Sequence, residues 1–197
     1  RYSGRPLAPL RTLDRSGRVA YFSSFSKLLF PALRLSFLVL PASLVETTER
    51  ILDRVSVRAP LLGQGALARF IAEGHFATHL RRTRQLYAGR RETLLEAAVQ
   101  RLDGLLTIVP DPGGMHVIAR PTPQTAWRFD DVAVTAAAAA AGLTVQPLSV
   151  CYAGRGRRHG LILGYAGTPE AEIDRALLKL RDVVLGATER QARRRTA

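Results

Sequence analysis

Apolar positions along this chain follow two rhythms, and the change between them divides it. Residues 18–23 and 35–40 are short, nearly continuous apolar runs, which read as buried strands joined by a loop over residues 24–34. After Pro41 the spacing becomes helical, with Leu44, Val45, Ile51, Leu52 and Val55 on one side of residues 42–57. Pro60 ends that element, and residues 61–73 form a second helix closed by Gly74. The longest regular stripe follows: Phe76, Leu80, Thr83, Tyr87, Leu94, Ala98 and Leu102 recur at helical steps, with arginines over most of the remaining surface. A helix of that length suits a spine joining two lobes.

Downstream, residues 105–109 and 115–119 read as strands around the turn Pro110-Asp111-Pro112-Gly113-Gly114. A helix over residues 131–141 is stopped by Gly142. Strands at 145–147 and 161–165 and a last helix over 169–185 complete the order, and no internal repeat is visible. Strand, loop, strand, three helices and then a small antiparallel α+β unit is an α/β pattern. It divides into residues 1–75 and residues 76–197.

Charge changes the picture less than its size suggests. The net charge is +13 and the pI about 11.3, which raises nucleic acid as a partner. The basic residues are scattered in small clusters, however, and no recognition-helix, zinc-finger or RNA-binding signature accompanies them. No apolar run approaches the roughly 20 residues of a membrane span, and the amino end lacks the apolar core of a signal peptide. The single cysteine, Cys151, excludes an internal disulfide and is read as a buried thiol in a reducing, cytoplasmic setting.

The kind of cation matters more. Of the 29 Lys and Arg residues, only Lys27 and Lys179 are lysines. Arginine keeps its proton, whereas a lysine amine loses it readily enough to attack a carbonyl and form an imine. Lys179 lies in a charged helical stretch where a solvated amine is expected. Lys27 follows an apolar run and sits among Ser23, Ser24 and Ser26, an odd place for a solubilising charge. An aldehyde cofactor bearing a phosphate needs an amine, hydroxyls and a permanent cation. Lys27, Ser24, Ser26 and Arg34 supply that set if the loop folds back. The alternative is a serine-rich turn with solvated charges.

Ser23-Ser24-Phe25-Ser26-Lys27-Leu28-Leu29-Phe30-Pro31-Ala32-Leu33-Arg34-Leu35-Ser36-Phe37 resembles the cofactor-lysine segment of fold-type I pyridoxal-phosphate enzymes. More narrowly it is similar to the aminotransferase-like half of the MocR branch of GntR-type bacterial regulators. The likeness continues in Tyr2-Ser3-Gly4-Arg5-Pro6, in residues 70–76, in His79-Leu80-Arg81-Arg82 and in Gly160-Leu161-Ile162-Leu163-Gly164-Tyr165-Ala166. It implies the aspartate-aminotransferase-like fold, pyridoxal 5'-phosphate as cofactor and amino-group transfer between an amino acid and a 2-oxo acid. It also implies Lys27 as the lysine that binds the cofactor covalently and moves a proton. Ser24 and Arg34 become phosphate ligands, with Ser26 a weaker contact. A homodimer is implied for the full-length protein.

Three departures qualify this expectation. Ser23 and Ser36 stand where the branch has glycines. Ile162 stands where many members carry an arginine that reads a substrate carboxylate; Arg155, Arg157 and Arg158 are near it in sequence. The family's ring-nitrogen aspartate, stacking aromatic and glycine-rich turn precede the lysine, and here the one acidic residue before Lys27 is Asp14. The expectation is therefore a truncated piece: the end of a large domain, a linking helix and a small domain, without the branch's winged-helix DNA-binding domain. Alone, such a piece should bind the cofactor poorly. A sensor half of a transcription regulator, without turnover, is the rival; a basic nucleic-acid-binding module is a third reading. Among other residues, His75, His79 and His116 are expected to pack or face water rather than hold a metal. Asp130-Asp131 reads as a helix cap, and Trp127 as core or interface.

Overall fold

The computed structural model describes residues 2, 7–55, 61–109 and 111–196. Its contacts separate two units, Arg5–Thr83 and Arg84–Ala197, with Tyr2 going with the second. The long helix runs through the division.

In the first unit a short helix, α1 (Leu10–Leu13), leads to a turn built on Asp14. The Asp14 carboxylate accepts from the Ser16 and Val19 backbone N–H groups at 2.9 and 2.8 Å. The Val19 bond foremost holds this exposed carboxyl below its ordinary pKa. Two strands follow, β1 (Tyr21–Ser24) and β2 (Ser36–Val39), paired antiparallel with Ser24 opposite Ser36 at the loop end. Both were expected to be buried, yet Phe22 is 66% and Leu38 46% exposed. These two residues share one face of a two-stranded sheet, and no described element of the unit covers it. Leu35 is buried, at 2% exposed, and packs over Gly63. Helices α2 (Ala42–Arg54) and α3 (Leu61–Ala72) come next. The expected end of the former near Pro60 lies outside the described residues. Its apolar stripe, Leu44 to Val55, faces water. Gly74, at φ +78°, makes the left-handed turn that separates α3 from α4 (His75–Arg101).

The second unit holds the core. Strands β3 (Leu106–Val109), β4 (His116–Pro121), β5 (Gln146–Pro147) and β6 (Leu161–Gly164) form an antiparallel sheet of order β3-β4-β6-β5. Alternation along β4 and β6 sends Val117, Ala119, Leu161 and Leu163 into a core with Leu94, Ala98 and Leu102 of α4. Helix α6 (Asp131–Ala140) adds Val134, and α7 (Glu170–Thr196) adds Ile173, Leu177, Leu180 and Val184. A short helix, α5 (Pro123–Ala126), precedes α6. The alanine run ends in a Schellman turn: Gly142 N–H bonds Ala139 O and Leu143 N–H bonds Ala138 O, both at 2.9 Å, with Gly142 at φ +74°. The last helix runs beyond the expected end near residue 185, to Thr196.

Gly160 sits close against neighbouring backbone in this unit. A Cβ there would lie 2.9 Å from the Ala119 carbonyl oxygen and 3.1 Å from a Leu148 methyl. Gly160→Ala is therefore expected to destabilise the unit by about 1–3 kcal/mol, the range for overpacking against backbone. Urea unfolding followed by circular dichroism measures it, and an unchanged midpoint would count against this packing.

Candidate functional site

The loop closing β1 and β2 is built around one helical turn. Phe25 N–H bonds Leu35 O at 3.0 Å, closing the loop one residue beyond the last strand pair. The Phe25 carbonyl then accepts from Leu28 N–H at 3.1 Å and Leu29 N–H at 2.8 Å. The Ser24 hydroxyl accepts from Ser26 N–H at 3.2 Å, which caps the turn and leaves its own hydrogen free to donate. Lys27 sits in the middle of that turn, exposed, and has no hydrogen-bond or ion-pair partner among the described residues. Ser26 is half-buried beside it.

The far side of the loop is a single 3-10 turn, Pro31–Leu33, ended by Arg34 in the left-handed region at φ 52°, ψ 28°. Arg34 is the one non-glycine residue with positive φ among the described residues. That conformation costs an arginine about 1–2 kcal/mol. It reverses the chain so that Leu35 enters the apolar interior while the Arg34 side chain stays exposed. Strand alternation puts Ser24 and Ser36 on the sheet face that also carries Phe22 and Leu38.

Two side chains of α4, three residues apart, hold the lysine turn from both ends. Phe76 meets Phe25 at 5.8 Å between ring centres, near perpendicular at 69°, and Phe25 in turn packs on Phe37 at 5.5 Å. His79 Nε2 lies 2.8 Å from the Leu28 carbonyl oxygen. A carbonyl only accepts, so Nε2 carries the hydrogen. The residues either side of the Ser26-Lys27 pair are thus fastened to one helix face. Sequence reasoning placed His79 among packing histidines and missed this role. The available signal was the three-residue spacing of Phe76 and His79, which puts them on one face. His79→Ala is expected to free the turn and weaken capture of an aldehyde by Lys27 roughly five- to tenfold, the value of one hydrogen bond. The measurement is Lys27 occupancy against aldehyde concentration, with His79→Gln retaining part of the effect.

The other expectations fall elsewhere. Asp130 caps α6, accepting from Val132 and Ala133 N–H at 3.0 and 3.1 Å. Asp131 does something different. Fully buried, it accepts from Ser149 N–H at 2.7 Å, Ser149 Oγ at 2.8 Å, His159 Nδ1 at 2.8 Å and Gly160 N–H at 3.2 Å. Burial pushes its pKa up, but these donors outweigh it and hold the carboxyl below its ordinary value. Cys151 is exposed rather than buried. Trp127 is 54% exposed with the Arg128 guanidinium 5.5 Å over its ring. His75 lies 3.4 Å from Glu73 and stacks near Phe70. Ile162 pairs with Ile118 in the sheet. Among the described residues no group of three or more His, Cys, Asp or Glu is placed to hold a metal ion.

No protein-family model matches the chain. It is 38% identical over 185 residues to the probable rhizopine catabolism regulatory protein MocR of Rhizobium meliloti, covering 94% of this chain and 37% of that protein. The HTH-type transcriptional regulator YhdI of Bacillus subtilis is 34% identical, covering 92% and 38%. An aromatic-amino-acid aminotransferase of Thermococcus litoralis is 26% identical, covering 93% and 43%. Among solved structures, the multiple substrate aminotransferase of Thermococcus profundus superposes with a TM-score of 0.83 at 24% identity, covering 96% of this chain and 46% of that one. The chain thus spans less than half the length of the curated relatives it matches. It is homologous to MocR/GntR-type regulators and to aminotransferases, and its fold is part of the aspartate-aminotransferase-like fold of pyridoxal-phosphate-dependent transferases.

Proposed function

We propose that this chain is the lysine-bearing part of a pyridoxal-phosphate-binding, aminotransferase-like domain. The observation that carries the reading is Lys27: one of two lysines in an arginine-rich chain, unpaired, in a turn pinned on both sides by α4. The residues fit the group. Lys27 Nζ offers a nucleophile with no competing partner, the Ser24 hydroxyl keeps a hydrogen to donate, and Arg34 presents a free guanidinium for a phosphate. Ser26 is assigned a weaker contact. When bound, pyridoxal phosphate supplies an electron sink for charge developing at a substrate α-carbon. Lys27 Nζ would hold the cofactor through its aldehyde carbon, with loss of water, and its free amine would serve to move a proton at the substrate α-carbon.

On this reading residues 1–75 are the end of a large domain and residues 76–197 a linking helix with a small domain, in a cytoplasmic protein that is dimeric at full length. No described helix is long and apolar enough to cross a membrane. The substrate is an amino acid or 2-oxo acid, exchanged by amino-group transfer. A second reading is the effector-sensing half of a MocR-type regulator, which binds cofactor and amino acid without turnover and acts on DNA through a winged-helix domain elsewhere in the polypeptide. The higher identity to regulators than to the aminotransferase, and an aliphatic residue at Ile162, favour it.

Within residues 1–197 the two lysines are easily told apart by mapping. The full-length polypeptide is incubated with pyridoxal phosphate, reduced with borohydride and mapped by mass spectrometry. Within residues 1–197, label confined to Lys27 is expected; equal label on Lys27 and Lys179, or none on either, would overturn the proposal. Amino-donor half-reactions on the same sample then separate the readings, since turnover marks the aminotransferase and its absence with retained binding marks the sensor.

A further inference from the structure

The segment between β5 and β6 carries three arginines on a loop held shut at its base. Leu148 N–H bonds Gly160 O at 2.9 Å, and Asp131 grips both sides, Ser149 on one and His159 with Gly160 on the other. Residues 150–158 leave and return through that clamp, which is the form of a compact surface loop with close ends. Gly156, at φ +79°, turns the chain between Arg155 and Arg157. Arg155, Arg157 and Arg158 are all exposed, and none has a hydrogen-bond or ion-pair partner among the described residues.

The local charge is uncompensated in sequence as well. No Asp or Glu occurs between Asp131 and Glu170, and the Asp131 charge is spent inside the clamp on its own donors. We infer that this loop is a contact for the phosphate backbone of duplex nucleic acid. Three guanidiniums over residues 155–158 span at most about 10 Å of chain. One strand of a duplex offers a charge every ~3.4 Å of axis, so two or three phosphates lie within reach. Arginine's planar fork suits phosphate oxygens.

Other anions fit less well. The arginines line none of the described cavities, so nothing encloses a small anion. Among residues 150–158 only Val150 is a large exposed apolar side chain, too little to anchor a lipid surface. The fixed base offsets the ordering a floppy arginine segment would otherwise undergo on binding. The inference does not depend on Lys27 or its cofactor.

The test is fluorescence anisotropy of a short duplex DNA of arbitrary sequence, titrated with the 197-residue chain at several salt concentrations. Wild type is expected to show log affinity falling linearly with log salt. Arg155→Ala, Arg157→Ala and Arg158→Ala combined should reduce that slope by about 2–3, at ~0.9 per phosphate contact, and weaken binding at least tenfold at about 0.1 M salt. A control replacing the exposed Arg82, Arg175 and Arg181 by alanine removes the same charge and should change the slope by less than half as much. Circular dichroism establishes that both variants are folded. Equal effects of the two triple variants would reduce the loop to net charge and overturn the inference. So would displacement of the DNA by inorganic phosphate at stoichiometric levels, or tighter loop-dependent binding to phosphatidylserine vesicles than to DNA.

Discussion

Lys27→Ala is expected to abolish reducible attachment of pyridoxal phosphate, to the background set by surface amines, in the full-length polypeptide. The specific label is lost because alanine has no nucleophile, and the only other lysine of these 197 residues, Lys179, lies on α7 in the other unit. The same change should leave stability within about 0.5 kcal/mol, since an exposed side chain with no described partner supports no other contact. That asymmetry separates a chemical role from a structural one. Lys179→Ala should change neither quantity. Label persisting at full strength in Lys27→Ala would remove the lysine from the assignment, whatever the fold. A large loss of stability would show that the turn depends on Lys27 in a way the hydrogen bonds of Phe25 and Ser24 do not reveal.

Asp131→Ala is expected to have the largest effect on folding. It removes a fully buried carboxylate and leaves the Ser149 and Gly160 N–H groups without acceptors at the base of the arginine loop. Stranding buried donors to a charged acceptor costs about 3 kcal/mol or more. Trp127, the chain's one tryptophan, lies four residues before Asp131 and reports on that unit in urea. Asp131→Asn should cost less, because its amide oxygen still accepts. Acidity adds a second readout. The folded carboxyl titrates below its ordinary value, so its contribution is fully present above about pH 4, the unfolded value. It is lost as pH falls through the lower, folded value. Wild type should therefore lose its advantage over Asp131→Asn only below about pH 4; parallel stability curves through that range would contradict the geometry.

How much of this was legible depends on whether the signal is local. Helix limits marked by a proline, glycine or capping carboxylate were, because those residues act on their own backbone; the end of α7, which carries no such mark near residue 185, was missed. Pro41 precedes α2, Gly74 supplies a positive φ before α4, Asp130 caps α6 and Gly142 closes it. The fold class was legible for a related reason: the order of strands and helices, with the Lys27 segment, carries the resemblance that the superposition on aminotransferase structures bears out. Short elements without periodicity were missed, among them α1, α5 and the turns at Pro31–Leu33 and Ser149–Cys151. One turn of helix is too short to show a hydrophobic rhythm.

What tertiary structure alone decided is where polar groups found partners far along the chain. Nothing near Asp131 in sequence announces that it will accept from Ser149, His159 and Gly160, 18 to 29 residues away. A helix cap was the local solution, and burial chose another, because a carboxylate removed from water must collect donors wherever the fold delivers them. The same holds for His79, whose partner is the Leu28 carbonyl 51 residues earlier, and for Arg34, whose left-handed backbone is imposed by Leu35 entering the interior. By itself the sequence determined which chemistry was on offer: one lysine among serines with an arginine following. The fold determined what holds that lysine in place. Side-chain identity sets reactivity, but only long-range packing can fix a turn against a helix that lies some 50 residues away in the chain.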